Sequence, residues 1–182
     1  MAFTPRTCTS YDWISRLGHW VLAALMIAML AFGIYLDEAV PPGPERGALM
    51  GLHKSVGVAV LLLGGLRVAW RLLQGFLPEA GHAPSWQAAL AKAVHYVLLA
   101  GIVVMPLSGL IGSYFGGRAT SVFGLFSLPA GPKIEWLGDL AYGIHGAGAM
   151  VLIGAILLHV AGALKHHFID RDTTLLRMVG KA

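Results

Sequence analysis

The chain is expected to be all-α, a transmembrane four-helix bundle, and three observations predict it. Hydrophobic residues make up 57% of the 182 and charged residues 12%, with a mean hydropathy of +0.71, whereas ordinary soluble domains carry about 25% charge. Residues 17–36, 93–117 and 140–164 contain no Asp, Glu, Lys or Arg, and each is long enough to cross hydrocarbon, which takes about 20 residues. A fourth segment, 47–66, holds only Lys54.

Taken in order, the spans are expected at about 12–36, 47–73, 87–115 and 136–167, within a single domain covering 1–182. The first follows Arg6 and Arg16 and could be mistaken for a signal peptide. Its apolar run is longer than a usual h-region, however, and leads into Asp37, Glu38 and a Pro-rich turn, so it reads as a retained crossing. Residues 37–47, DEAVPPGPERG, contain three prolines and two glycines and extend neither neighbouring helix. In the second span Lys54 is near one end and Arg67 and Arg71 follow at the other, where long basic side chains snorkel. Residues 75–86, GFLPEAGHAPSW, form a second punctuated connection. The third connection, roughly 116–135, is the longest, and its GLFSLP stretch is apolar enough to lie on the membrane surface or cap the bundle. Residues 170–182 read as a short amphipathic tail at the inner surface.

With four spans both termini share one side with the 2–3 loop. That side holds Arg6, Arg16, Arg67, Arg71, Lys92, Lys165, Arg171, Arg177 and Lys181; the other holds Arg46, Lys54, Arg118 and Lys133. The positive-inside rule makes the termini cytoplasmic. The formal net charge of +4 reflects this asymmetry and the anionic inner leaflet, and gives no case for nucleic acid. All five tryptophans (Trp13, Trp20, Trp70, Trp86, Trp136) fall within or near span ends, as an interfacial belt requires.

Depth sorts the histidines. His53 and His145 fall at the outer level, His19, His95 and His159 at the inner. His145 and His159 are 14 residues apart, which returns the second imidazole to within about 40° of the first, roughly 21 Å along the axis. One helix face thus carries a metal-capable group near each edge of the membrane. An isolated membrane histidine often serves helix–helix hydrogen bonding, but five sorted onto two levels suit two stacked b haems, each needing two neutral imidazoles from different helices. The outer level has two candidates and the inner three. Gly18, Gly57, Gly148 and Gly162 lie near these histidines and would leave gaps for a flat macrocycle, although glycine is also an ordinary packing signal. The single Cys8 excludes an internal disulfide and a cysteine-ligated iron–sulfur cluster, and with no C-x-x-C-H any haem is held non-covalently; Cys8 reads as an ordinary cytoplasmic thiol. Arg16, Arg67, Arg71 and Lys92 could neutralise propionates on the inner side or snorkel to lipid phosphate. His166 and His167 read as interfacial, and His82 lies in a polar loop without an assigned role.

LGHW in span 1, GLHKSVG opening span 2, VHYVLL and the Pro-containing GIVVMPLSG in span 3, YGIHGAGAMVLIGAILLHVAGALKHHF in span 4 and the ending RDTTLLRM together resemble the bacterial cytochrome b561 family, from about Tyr11 to Met178. The resemblance implies a di-haem bundle in the bacterial inner membrane. Carried onto matching positions, it implies His53 and His145 as ligands of the outer haem iron and His19 and His159 of the inner. His95 matches a further histidine of the third helix, with three readings: inner-haem ligand, hydrogen-bond partner of a quinone carbonyl, or partner of a propionate or backbone carbonyl.

The resemblance also implies an activity, oxidation of superoxide on the outer side with ubiquinone as electron acceptor. Lys54, beside a proposed ligand, and Arg118 and Lys133, in the outer loop, could raise the local concentration of a small anion. A second expectation is a relay subunit passing electrons between quinone and a partner dehydrogenase or hydrogenase. A third, a haem-free metal or haem carrier, would need carboxylates in the membrane, which the spans lack.

Overall fold

The computed structural model describes residues 10–75 and 84–181; Arg6, Cys8 and His82 lie outside the described residues. Helices α1 (Trp13–Glu38), α2 (Pro44–Gln74), α3 (Ser85–Phe115) and α4 (Glu135–Lys165) make the bundle. All four are long and apolar enough to cross a membrane. Strands β1 (Thr120–Val122) and β2 (Phe126–Leu128) interrupt the α3–α4 connection. A π-helical turn, His166–Asp170, ends the fourth crossing, and a short α5 (Thr174–Val179) follows.

Local chemistry sets the ends. Asp12 caps α1: its carboxylate accepts the Ser15 backbone N–H at 3.0 Å and the Ser15 hydroxyl at 2.7 Å. Helix α2 begins three residues before its expected start because Pro44 sits at the first helical position, where its missing N–H costs nothing. Gly75 and Gly116 close α2 and α3. The tail is helical, as its amphipathic pattern suggests, and returns to α1, where Trp20 Nε1 donates to the Met178 carbonyl at 3.1 Å.

The bundle's outward faces are apolar. Leu62, Leu66, Met150 and Leu157 are all more than 60% exposed, which suits side chains solvated by lipid. The interior is a buried cluster of Leu22, Met26 and Leu30 from α1, Val60 from α2, Met105 from α3 and Leu152 from α4. Helix α1 packs on α2, α2 on α3, and α3 most extensively on α4; the α4 backbone stands off from α1 and α2. Gly101 lets α3 and α4 approach, since a Cβ there would run into the Leu152 side chain.

The β-hairpin was not expected from an all-α reading. It is antiparallel, with Ser121 opposite Ser127, and turns through Phe123 and Gly124, both at positive φ (51° and 72°), the geometry that tight hairpin turns favour. Ser55, 3% exposed on α2, accepts the Phe123 N–H at 3.0 Å and lies 3.1 Å from the Ser121 carbonyl. Thus β1 and Phe123 are what fold down on α2, while the GLFSLP stretch itself is exposed, Leu125 at its tip to 82%.

Candidate functional site

The outer end is the one bearing the α1–α2 and α3–α4 connections. There His53 of α2 and His145 of α4 face each other with ring centres 6.3 Å apart and planes at 79°. Helix α3 fixes His145. The Met105 carbonyl lies 2.8 Å from its Nδ1, and a carbonyl only accepts, so Nδ1 carries the hydrogen and Nε2 keeps its lone pair. Ser108 Oγ is 3.3 Å from the same nitrogen and donates to the Met105 carbonyl at 2.9 Å. Gly109 makes room for the ring: a Cβ there would meet Cε1 at 3.1 Å. His53 rests against Phe32 (5.6 Å between centres), and its buried Nδ1 has no hydrogen-bond partner among the described residues.

These residues fit a b haem. Two imidazoles sharing one iron through bonds of about 2.0 Å, with ring centres about 1.1 Å beyond each nitrogen, would stand about 6 Å apart. The donors are neutral-capable imidazoles from different helices, the stand-off of α4 leaves space for a flat group, and an orphaned buried nitrogen is a group that binding can satisfy.

The inner level holds His19, His95 and His159, with His159 6.1 Å from His19 and 5.2 Å from His95, centre to centre. Arg67 Nη2 lies 3.3 Å from His19 Nδ1. A guanidinium only donates, so here His19 turns its lone pair toward Arg67 rather than keeping it at Nε2. Ligation through Nε2 would need the other tautomer. The geometry brings all three histidines together and does not choose between His19 and His95 as the partner of His159. Leu152, seven residues from both His145 and His159, puts the buried apolar cluster between the two levels.

Of the inner cations, Arg67 also donates to the Ser15 carbonyl at 2.9 Å, and Arg71 donates to the Tyr11 hydroxyl at 3.0 Å while lying over its ring. Arg16 keeps a buried Nε without a hydrogen-bond partner among the described residues and packs against Gly180 of the tail. Lys92 is exposed. The outer cations separate. Lys133 is paired with Glu135 at 3.0 Å, a neighbour two residues away that the sequence could have shown. Arg118 instead donates to the Tyr142 hydroxyl at 3.1 Å. Lys54, next to His53, lies at the same end of the bundle as Arg118. Tyr142, three residues before His145, was missed in the sequence.

His166, expected at the interface, is half-buried, with Nδ1 2.7 Å from Asp172 and 3.3 Å from Asp170. Slight burial opposes the charge of Asp172, but hydrogen bonds from the Thr174 hydroxyl and N–H and from His166 hold its carboxyl below its ordinary value of 3.8. His166, Asp170 and Asp172 bring three donor atoms within 4.8 Å; Lys165, 2.7 Å from Asp170, already supplies a cation there.

Residues 10–181 match the family model described as prokaryotic cytochrome b561. The chain is 34% identical to cytochrome b561 homolog 2 of Escherichia coli (strain K12), with 100% of this chain and 97% of that protein aligned. It is 30% identical to cytochrome b562 of Cereibacter sphaeroides (88% and 89%). It is also 27% identical to the probable superoxide oxidase CybB of Yersinia pestis (90% and 92%).

Proposed function

Since the chain belongs to the prokaryotic cytochrome b561 family, whose members are b-type membrane electron-transfer proteins, we propose that it oxidises superoxide at its outer end and reduces ubiquinone at its inner end. It acts as one domain of 182 residues in the bacterial inner membrane, with both termini cytoplasmic. In balance, two superoxide ions each give up one electron and leave as oxygen, while one ubiquinone takes two electrons and two protons to become the quinol.

His53 and His145 would hold one haem b, and His19 and His159 a second. When bound, these groups supply one-electron carriers at the two levels. The Met105 carbonyl orients His145. Arg16, Arg67 and Arg71 are the propionate partners at the inner end. His95 supplies a hydrogen bond there, to a quinone carbonyl or a propionate. At the outer end Lys54 and Arg118 draw in a small anion, with Lys133 more remote in effect because Glu135 neutralises it. Because His53 and His145 would both be used in holding the outer group, superoxide would not need to be ligated, and the chain's own part at that end would be to draw the anion in.

The observation that carries this reading is the histidine pair at the end where, among the described residues, Lys54 and Arg118 lie without a carboxylate partner. The name of the Yersinia pestis relative, probable superoxide oxidase, supports it. The test is haem per polypeptide on detergent-purified protein, then cytochrome reduction under a superoxide flux with and without added ubiquinone. The expected result is about two haems per chain, reduced by superoxide and reoxidised by ubiquinone, more slowly as salt rises. Haem that ignores superoxide yet exchanges electrons with quinol would overturn it in favour of a relay subunit serving a partner protein.

A further inference from the structure

Tyr142, half-buried, is held by groups from α3 and from Arg118. Its ring lies against buried Gly112, where a Cβ would meet Cε1 at 2.8 Å. Its hydroxyl is 3.2 Å from Ser113 Oγ, which is 1% exposed, and accepts from Arg118 Nη2 at 3.1 Å. The Arg118 guanidinium also lies 5.3 Å from the ring centroid, within cation–π range. One phenol therefore fixes one guanidinium through both its face and its oxygen.

The side chain that Arg118 bonds to and lies over, among the described residues, is the neutral Tyr142. Among the described residues no carboxylate comes within 4.0 Å of Arg118 or Lys54, whereas Lys133 and Arg46 have Glu135 and Asp37. A guanidinium held in place without a counter-ion attracts an anion, and Lys54 adds a second positive charge at the same end. Tyr142 also stands one helical turn outside His145.

We propose that Tyr142 is a positioning residue that fixes Arg118, with Lys54, into a docking point for small inorganic anions at the outer mouth of the His53–His145 pair. This rests on the outer-end reading above and deepens it. Tyr142 contributes no charge and touches no reacting atom; it holds a mobile guanidinium in one place, which raises the anion on-rate and its salt dependence.

The test uses haem-loaded protein and two anionic probes: superoxide as reductant, and ferricyanide as oxidant of the pre-reduced cytochrome, with cationic hexaammineruthenium(III) as the control oxidant. Rates are measured against ionic strength for the unaltered protein, Tyr142→Phe, Arg118→Gln and the double variant. Tyr142→Phe is expected to slow the anionic probes about 3- to 10-fold at low salt and flatten their salt dependence, with the haem spectrum and the ruthenium rate not reduced. The double variant should lose no more than Arg118→Gln alone. If Tyr142→Phe fails to load haem, Ser113→Ala, which loosens the same phenol, should give a smaller loss of the same kind. Unchanged anion rates and salt slope in Tyr142→Phe, or additive losses in the double variant, overturn the proposal. Ferricyanide responding to Tyr142→Phe while superoxide reduces nothing supports the docking point and instead sinks the superoxide reading.

Discussion

The Met105 carbonyl on α3 accepts the Nδ1 hydrogen of His145 on α4 at 2.8 Å, next to Pro106, the proline inside α3. Lacking an N–H, Pro106 leaves the Ile102 carbonyl without its helical partner. An interrupted helix thus meets the one outer histidine whose tautomer is fixed, and α3 serves the site through its backbone without contributing an outer histidine.

Replacing either outer histidine should remove one haem and leave the other. His53→Ala or His145→Ala is expected to lower haem content from about two to about one per chain, read by pyridine haemochrome assay. Loss of both together would show that the levels form one structural unit.

Gly112→Ala should destabilise the bundle. Its Cβ would press on the Tyr142 ring, and overpacking of this kind costs about 1–3 kcal/mol. The detergent-solubilised protein should melt at a lower temperature, and an unchanged melt would mean that Tyr142 moves aside freely.

Ser55→Ala should free the β-hairpin. The buried Ser55 oxygen accepts the Phe123 N–H, and stranding that donor costs about 1–3 kcal/mol. Phe123 already sits at φ 51°, in a region that costs a non-glycine residue about 1–2 kcal/mol. Hydrogen exchange at residues 120–128 should accelerate while that of α1 does not.

Acid should release the tail. Despite the opposing effect of slight burial, the carboxyl of Asp172 sits below its ordinary 3.8 in the folded chain because Thr174 and His166 hydrogen-bond its charged form. A depressed carboxylate contributes stability that is complete above the unfolded value and is lost as pH falls through the folded one. Attachment should therefore hold down to about pH 4 and weaken below it. Proteolysis between residues 171 and 181 reports this, and Asp172→Asn should make cleavage easier already at neutral pH.

The bundle was legible because charge-free runs of membrane length leave little choice, and histidine depth follows from helical rise. The outer pair, with no spare, was legible for the same reason. The inner level was not, because His19 and His95 differ by which face meets His159, and depth alone carries no azimuth between helices. The hairpin escaped because its strands are three residues each, too short for alternation to register. Tyr142 escaped because its role depends on Ser113 and Arg118, brought to it only by the packing of α3 on α4. Lys133 looked equivalent to Arg118 until its pairing with Glu135 separated them.

The stand-off of α4 from α1 and α2 bears on how the molecule is made. Chain order brings α1 and α2 into the membrane as one pair before α3 and α4 as another. His53 and His145 belong to different pairs, and so do His19 and His159. Neither pair of helices can complete such a site alone. A group held by both halves would act as a rivet added to the α2–α3 packing and the shared apolar cluster that already join them, so cells starved of haem should hold a looser bundle, more open to quality-control proteases than the loaded one.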